Sequence, residues 1–279
     1  MSPKGLTQDQ LDTYNEDGFV IVRGLFSEDE LSPLRTAIDH DPTFDGSEQG
    51  IPDSMGRKWN TSVSTVTDNS YIGCLPRLDK MMDIVEDVLG EEGYFWHMKL
   101  VRKDRDAGGK VDWHQDYQFW YETVLKPDLV SCSVAVDRNS RANSCVRIAR
   151  GTHKLGRIDF DRGNVLMADE GRVNEILSRG YEVVDCEMNP GDILVFHPLA
   201  LHASEEFAEG AERRTVAHCT YNARSNVPIP APGQEHRQYT RTERLPSSYL
   251  KERLFDSVFA GHEFMDNKKL NLVKGTILY

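Results

Sequence analysis

The sequence predicts a mainly β protein with flanking helices, an α+β chain whose core is of the jelly-roll class. Helix signals are concentrated before residue 90, and short apolar runs divided by turn residues follow from Tyr94 onward. The length of 279 residues lies within the range that β sandwiches and barrels reach as one unit. The expected layout is a single domain, with a helical N-terminal buttress over about residues 7–90, a β core over about 94–225 and a C-terminal extension over about 226–279.

Thr7 with Gln10 forms a capping-box pattern that starts a first helix, expected to run to about Glu16 before Asp17-Gly18 breaks it. Phe19-Val20-Ile21-Val22 reads as a short buried strand. Ser27 and Glu30 repeat the box, and Pro33 falls in the tolerated first turn of a second helix reaching about Asp39. Residues 41–70 are rich in Gly, Pro, Ser, Asp and Asn without periodicity, which predicts an irregular excursion, either a lid or a surface loop. Leu78, Met81, Met82, Val85 and Leu89 make a helical stripe ended by Gly90, and the two methionines belong to the core.

Tyr94 to Arg102, Leu129 to Val136, Cys145 to Ala149, Ile193 to Phe196 and Thr215 to Tyr221 read as strands. Ala107 to Lys110 and Asn189 to Asp192 are turns, and Gly171 to Gly180 is one short helix. Pro228 to Pro232 is a proline-rich connection, and Ser247 to Ala260 reads as a C-terminal helix. There is no internal repeat.

A net charge of −12 argues against a nucleic-acid or anionic-membrane partner. No run approaches the roughly 18 apolar residues of a membrane span, and the polar stretch Met1 to Gly5 lacks a signal-peptide core. The expectation is a cytoplasmic protein, monomer or homodimer, acting on a small molecule. Five scattered cysteines without C-x-x-C spacing are expected to be reduced, packed thiols.

The chemistry begins at Asp112-Trp113-His114-Gln115-Asp116. On an extended strand His114 and Asp116 share a face while Gln115 points away, so the pair can grip one metal ion. Two histidines and a carboxylate, with the remaining positions open, mark non-haem Fe(II) oxygenases. His202, which follows the apolar run Ile193 to Phe196, is the natural third ligand. His197 abuts Pro198 with no partner at a useful spacing and reads as a core residue, while His153 lies in a turn and reads as a structural hydrogen-bonding group. Eleven residues after His202 stands Arg213, whose guanidinium fork can hold a carboxylate. Its neighbour Arg214 would point to the opposite face of a strand, so only one of the two can enter the site.

His114, Asp116, His202, Ser204 and Arg213 together resemble the phytanoyl-CoA dioxygenase (PhyH-like) family of Fe(II)/2-oxoglutarate oxygenases, whose pattern is His-x-Asp, a later His, a Ser two residues on and an Arg eleven residues on. Asn143 to Lys154 and Asp17 to Leu25 look like further family segments, so the resemblance covers about residues 7–225. Phe207 and Arg150 depart from the family's usual residues, which puts loop geometry in question and leaves the ligands untouched.

The resemblance implies a double-stranded β-helix, cupin-like core. It implies Fe(II) on His114, Asp116 and His202, with 2-oxoglutarate and O2 as cosubstrates. Arg213 and Ser204 would hold the far carboxylate, and Lys103 and Trp120 would contact the cosubstrate. The implied reaction hydroxylates a substrate C–H bond and releases succinate and CO2. Halogenating relatives lack the carboxylate, so Asp116 favours hydroxylation.

Two alternatives stay open at this point: a cupin-like isomerase or hydrolase that uses no oxoacid, and a non-catalytic metal-binding jelly-roll module. Succinate formation separates the first from an oxygenase, and tight zinc binding without oxygen consumption would favour the second. A CoA thioester would call for a basic mouth, for which Arg57, Lys58, Arg102, Arg105 and Lys110 are candidates. Tyr117, Phe119 and Tyr121 are candidate pocket residues.

Overall fold

Alternation along one ten-residue strand organises the molecule. In the computed structural model, which describes residues 3–41, 44, 46–164, 166–229, 238–253, 255, 257–259, 261–265, 272–273 and 276–277, every residue of Arg214–Ala223 is buried. Ala217, Cys219 and Tyr221 join the large apolar cluster under the helices, whereas Arg214, Val216 and His218 line a cavity on the other side. A strand covered on both faces carries buried side chains at every position, and its parity assigns each to one face.

The strands of the two main sheets, in chain order, are β1 (Phe19–Val22), β2 (Gln49–Pro52), β3 (Lys58–Ser64), β4 (Gly93–Lys103), β5 (Val111–His114), β6 (Leu129–Ala135), β7 (Val146–Ala149), β8 (Val183–Asp185), β9 (Ile193–Phe196), β10 (His202–Ser204) and β11 (Arg214–Ala223). Seven form one sheet in the order β1-β9-β6-β11-β4-β3-β2, and four form a second in the order β5-β10-β7-β8. All these pairings are antiparallel, and strands distant in sequence lie side by side, as in a jelly roll. The cavity lies between the two sheets and takes side chains from both.

Helices cover the outer face of the larger sheet. Gln8–Asp17 begins at a Thr7/Gln10 capping box and stops at Gly18, and Glu28–His40 begins at a Ser27/Glu30 box. Asp79–Leu89 buries Met81, Met82, Ile84 and Val85 against Met98, Leu100, Val130 and Cys132 of the sheet. Burying side chains of this size stabilises by about 1.5–3 kcal/mol each. The five cysteines are all buried and unpaired by disulfides.

Two expectations change. Residues 41–70 are not wholly irregular, because they supply β2 and β3 at the sheet edge, and Trp59 of β3 reaches the cavity. Pairing with β4 orders that stretch despite its turn-rich composition, since a long-range partner outweighs local propensity. Within the helix expected at Ser247 to Ala260, only Tyr249–Glu252 is helical among the described residues. Part of the proline-rich connection, from residue 230 on, lies outside the described residues, as does Ala260.

The turn before β9 depends on one glycine. Gly191 has φ 90°, and a Cβ there would lie 2.1 Å from the Phe26 carbonyl oxygen; the Phe26 N–H donates to the Gly191 carbonyl at 3.0 Å. Both atoms are backbone, so neither can move aside alone. Gly191→Ala is expected to destabilise the fold by about 2–4 kcal/mol, measured as a lower urea midpoint with unchanged slope.

Candidate active site

β5 and β10 pair antiparallel with His114 opposite His202, which brings the rings to a centroid distance of 4.1 Å. His114 Nδ1 lies 2.8 Å from the Asp112 carbonyl and His202 Nδ1 lies 2.9 Å from the Ala200 carbonyl. A carbonyl only accepts, so both Nδ1 atoms donate and both Nε2 lone pairs are left to face the cavity.

Asp116 follows directly. β5 ends at His114, and Asp116 opens the short helix Asp116–Trp120, so the turn between them is set by Gln115 and not by strand alternation. The Gln115 side chain points away from the cavity. It donates to the carbonyls of Gly156 at 2.9 Å and Leu199 at 2.7 Å and accepts from the Ile158 N–H at 2.7 Å. Asp116 Oδ1 thereby sits 3.9 Å from each histidine Nε2, while Oδ2 accepts from Ser131 Oγ at 2.9 Å. The donor atoms of His114, Asp116 and His202 all lie within 4.8 Å of one another.

The electrostatics suit a dication. Burial pushes the His114 imidazole down to about 3, with His202 adding to the effect, and burial likewise lowers His202. Burial opposes ionisation of Asp116, but His202, Lys99, His218 and His114 outweigh it and hold the carboxyl below the ordinary carboxylate range. Two neutral imidazoles and one carboxylate, with side chains 12%, 8% and 3% exposed, form a nitrogen and oxygen donor set that fits a divalent transition metal.

These shifts fix a sign for pH. Burial also depresses His218 and His197, each to about 4. The unfolded chain binds these protons near pH 6.5, while the folded chain refuses them until pH 3–4 is approached. Stability of the metal-free protein is therefore full above pH 6.5 and lost as pH falls through this window, by up to about 1.4 kcal/mol per histidine per pH unit. Urea midpoints at pH 7.5, 6 and 5 should decrease in that order.

At the other end of the cavity two basic side chains stand side by side, because Arg214 of β11 is in register with Lys103 of β4. Arg214 Nε donates to Asn139 Oδ1 at 2.9 Å and Nη1 to the Ser144 carbonyl at 2.5 Å. Among the described residues no carboxylate pairs with it, and burial lowers it to about 10. Lys103 is fully buried and donates to Ser144 Oγ at 2.7 Å, Ser204 Oγ at 2.6 Å and the Glu205 carbonyl at 3.3 Å. Burial, with Arg214 beside it, holds Lys103 well below the usual lysine range. Since the Ser204 oxygen accepts from Lys103, its own proton is left to donate. A guanidinium without a carboxylate partner among the described residues and a hydroxyl donor make an anion cradle, with the Lys103 amine behind the hydroxyl.

The clamp expected at Arg213 is corrected. Arg213 lies on the outer side, paired with Asp39 and with Asp137 at 3.1 Å, and Arg214 faces the cavity in its place. The loop between β10 and β11 can vary in length, so a residue count from His202 does not fix the register, whereas strand parity does. Arg213 shares its parity with Ala217, Cys219 and Tyr221, which face the helices. Trp120 is corrected too. The chain has turned helical by then, and Trp120 packs in a core cluster with Tyr94, Trp96, Tyr117 and Leu129.

Lys103 and Ser204 meet beside Arg214, joined by the 2.6 Å hydrogen bond from Nζ to Oγ. His153 Nε2 meets the Asn15 carbonyl at 3.2 Å and closes on Gly18, and His197 Nδ1 accepts from the Leu199 N–H at 3.0 Å, so both are structural. Of the flanking aromatics, Phe119 approaches His114 at 5.9 Å, Tyr117 is core and Tyr121 is exposed beneath Arg157. Sequence reasoning missed Arg214, His218, Ser133 and Lys99 as cavity residues. Parity groups Arg214 with His218 opposite Ala217, Cys219 and Tyr221, but which of the two faces meets the cavity follows only from the pairing of β11 with β4 and β6.

The model of the phytanoyl-CoA dioxygenase (PhyH) family matches residues 14–215. The chain belongs to this family. Among curated relatives of this PhyH chain, the ectoine dioxygenase of Bordetella parapertussis is 25% identical over 154 residues, 53% of this chain and 50% of that protein. The human peroxisomal phytanoyl-CoA dioxygenase is 26% identical, covering 76% and 67%, and the L-proline trans-4-hydroxylase of Streptomyces griseoviridis is 23% identical, covering 77% and 86%. The match thus spans about half the length of the ectoine dioxygenases. Among solved structures, apo EctD from S. alaskensis superposes with a TM-score of 0.72 at 20% identity over 88% of both chains. SnoK from nogalamycin biosynthesis gives 0.65 at 13% identity, over 88% of this chain and 95% of its own. These likenesses show the cupin-like jelly-roll fold. Among the described residues no helix is long and apolar enough to cross a membrane.

Proposed function

We propose that this PhyH-family chain is an Fe(II)- and 2-oxoglutarate-dependent dioxygenase that hydroxylates a C–H bond of a small organic substrate, with the whole chain acting as one oxygenase domain. The observation that carries the reading is the pairing, in one cavity, of the His114/Asp116/His202 face with the cradle of Arg214, Lys103 and Ser204. An isomerase or hydrolase using the same face has no need of a buried anion clamp. Relatives named as dioxygenases and hydroxylases, and EctD structures with bound Fe and with 2-oxoglutarate, support the assignment by family.

In this reading His114 and His202 present their Nε2 atoms and Asp116 its Oδ1 to the iron. Arg214 and the Ser204 hydroxyl hold the far carboxylate of 2-oxoglutarate, with Lys103 Nζ behind Ser204. Asn139 and the Ser144 carbonyl keep the guanidinium from turning away, so the fork is set before the ligand arrives. Bound iron supplies oxygen activation and oxidative decarboxylation to succinate and CO2. The intersheet walls Val101, Val111, Val146, Phe196 and Val216 limit water at the reacting centre.

A small substrate is favoured over a CoA thioester. Arg57 pairs with Glu206, Arg102 with Glu48 and Lys110 with Asp112 at 3.0 Å, so most of the basic residues near the mouth are already neutralised. A cytoplasmic setting accords with the five free thiols. The test is a screen of small polar, amino-acid-like and acyl-CoA substrates for succinate release with Fe(II), 2-oxoglutarate and ascorbate. Substrate-dependent succinate from a small polar compound supports the reading; turnover that needs no 2-oxoglutarate rejects it.

A further inference from the structure

His218 is a third imidazole in the cavity, and neither the metal face nor the anion cradle accounts for it. It lies on β11 with the parity of Arg214, four residues and about 13 Å further along the strand. The guanidinium and the imidazole therefore bracket the cavity lengthwise, one at the cradle and the other beside Asp116. The ring is fixed on two sides. Nδ1 meets Ser133 Oγ at 2.7 Å, and the Phe196 ring packs at a centroid distance of 5.5 Å.

Nε2 is buried and has no hydrogen-bond partner among the described residues. The charged groups facing it are Asp116, whose Oδ2 is 3.7 Å away and too far for a hydrogen bond, and Lys99, which lies opposite His218 on β4 and lines the same cavity. An imidazole lone pair aimed at a carboxylate at that distance is repelled, so the Ser133 hydroxyl donates to Nδ1 and the ring proton sits on Nε2, pointing into the cavity. His218 does not belong to the set whose donor atoms lie within 4.8 Å of one another, so it is not a fourth ligand of that face. A buried N–H without an acceptor is costly to keep, and an acceptor arriving with a ligand removes the cost.

We propose that His218 Nε2 donates a hydrogen bond to the 1-carboxylate of 2-oxoglutarate, making it a cosubstrate-recognition residue that selects 2-oxoacids at the metal end as Arg214 selects the far carboxylate. This inference rests on the 2-oxoglutarate reading given above. It assigns a separate donor to each end of the ligand, so the two ends can be tested apart.

The experiment is anaerobic calorimetric titration of the Fe(II)-loaded protein with two ligands. One is 2-oxoglutarate. The other is 4-oxopentanoate, which keeps the ketone and the far carboxylate but lacks the carboxylate next to the ketone. His218→Asn removes the reach of the donor, and His218→Gln restores it with one more methylene.

H218N should weaken 2-oxoglutarate about tenfold or more, the loss expected for one hydrogen bond to a charged group, while leaving 4-oxopentanoate within about twofold. H218Q should recover most of the 2-oxoglutarate affinity. Fe(II) affinity measured without either ligand should stay the same in all three proteins. Equal weakening of both ligands, equal loss in both variants, unchanged 2-oxoglutarate binding or a lowered Fe(II) affinity each overturns the proposal. A wild-type protein that binds Fe(II) but not 2-oxoglutarate rejects the underlying function instead, which keeps the two failures distinguishable.

Discussion

Replacing Asp116 by alanine should abolish iron-dependent turnover and weaken Fe(II) binding by at least about 100-fold, more than the 10–100-fold that loss of a supporting residue around a metal ligand costs. Asp116 supplies the only carboxylate in the three-residue donor set, and its Oδ1 is equidistant from the two imidazoles. Without it two neutral nitrogens remain, and the dication loses its compensating charge in a buried site. Ser131→Ala removes the hydrogen bond that orients the same carboxylate and should cost about tenfold in metal affinity. Metal titration followed by tryptophan fluorescence, with circular dichroism to verify the fold, measures both. Full activity in D116A would remove Asp116 from the metal face.

The second large effect concerns the two adjacent arginines. Arg214→Leu should raise the apparent KM for 2-oxoglutarate by about 100-fold or more, because it removes a buried guanidinium from a charged ligand and leaves that carboxylate without its partner. Arg213→Ala should leave that constant within about twofold. Its guanidinium serves Asp39 and Asp137 on the outer side, a partly exposed ion-pair set worth about 0–1 kcal/mol of stability. Steady-state succinate formation at varied 2-oxoglutarate separates the two. The reverse pattern, with R213A impaired and R214L normal, would return the clamp to the residue that spacing from His202 suggested.

That pair shows where the sequence was legible and where it was not. Patterns carried by local physics were readable: the two capping boxes, the stripe of Leu78, Met81, Met82 and Val85, and the apolar strand Ile193–Phe196 before His202. His114, Asp116 and His202 were readable as a set because their donor types suit one divalent metal, and the fold brings their donor atoms within 4.8 Å of one another. The choice between Arg213 and Arg214 was not, since it depends on the register in which β11 meets β4 and β6, a property of long-range pairing.

Trp120 was expected at the cosubstrate only through its place in the family's pattern. The chain turns helical at Asp116, and that helix carries Trp120 into an apolar cluster with Tyr94, Trp96 and Leu129. β3 was hidden because its order comes from β4, distant in sequence, and β2 because it pairs in turn with β3, neither being set by its own turn-rich composition. His218 sat in an ordinary strand pattern, and only the packing of β6, β9 and β11 shows that its Nε2 opens into the cavity.

The central claim is that one cavity holds a metal face and a 2-oxoglutarate clamp together, and anaerobic optical titration tests it most directly. Chelation of Fe(II) by the 2-oxoacid end of 2-oxoglutarate gives a visible charge-transfer band that neither component gives alone. The wild-type protein should develop this band saturably at one equivalent of iron, R214L should need about 100-fold more 2-oxoglutarate to reach it, and D116A should not reach it at the same iron concentration. A wild-type protein that binds Fe(II) and shows no such band at millimolar 2-oxoglutarate would contradict the account.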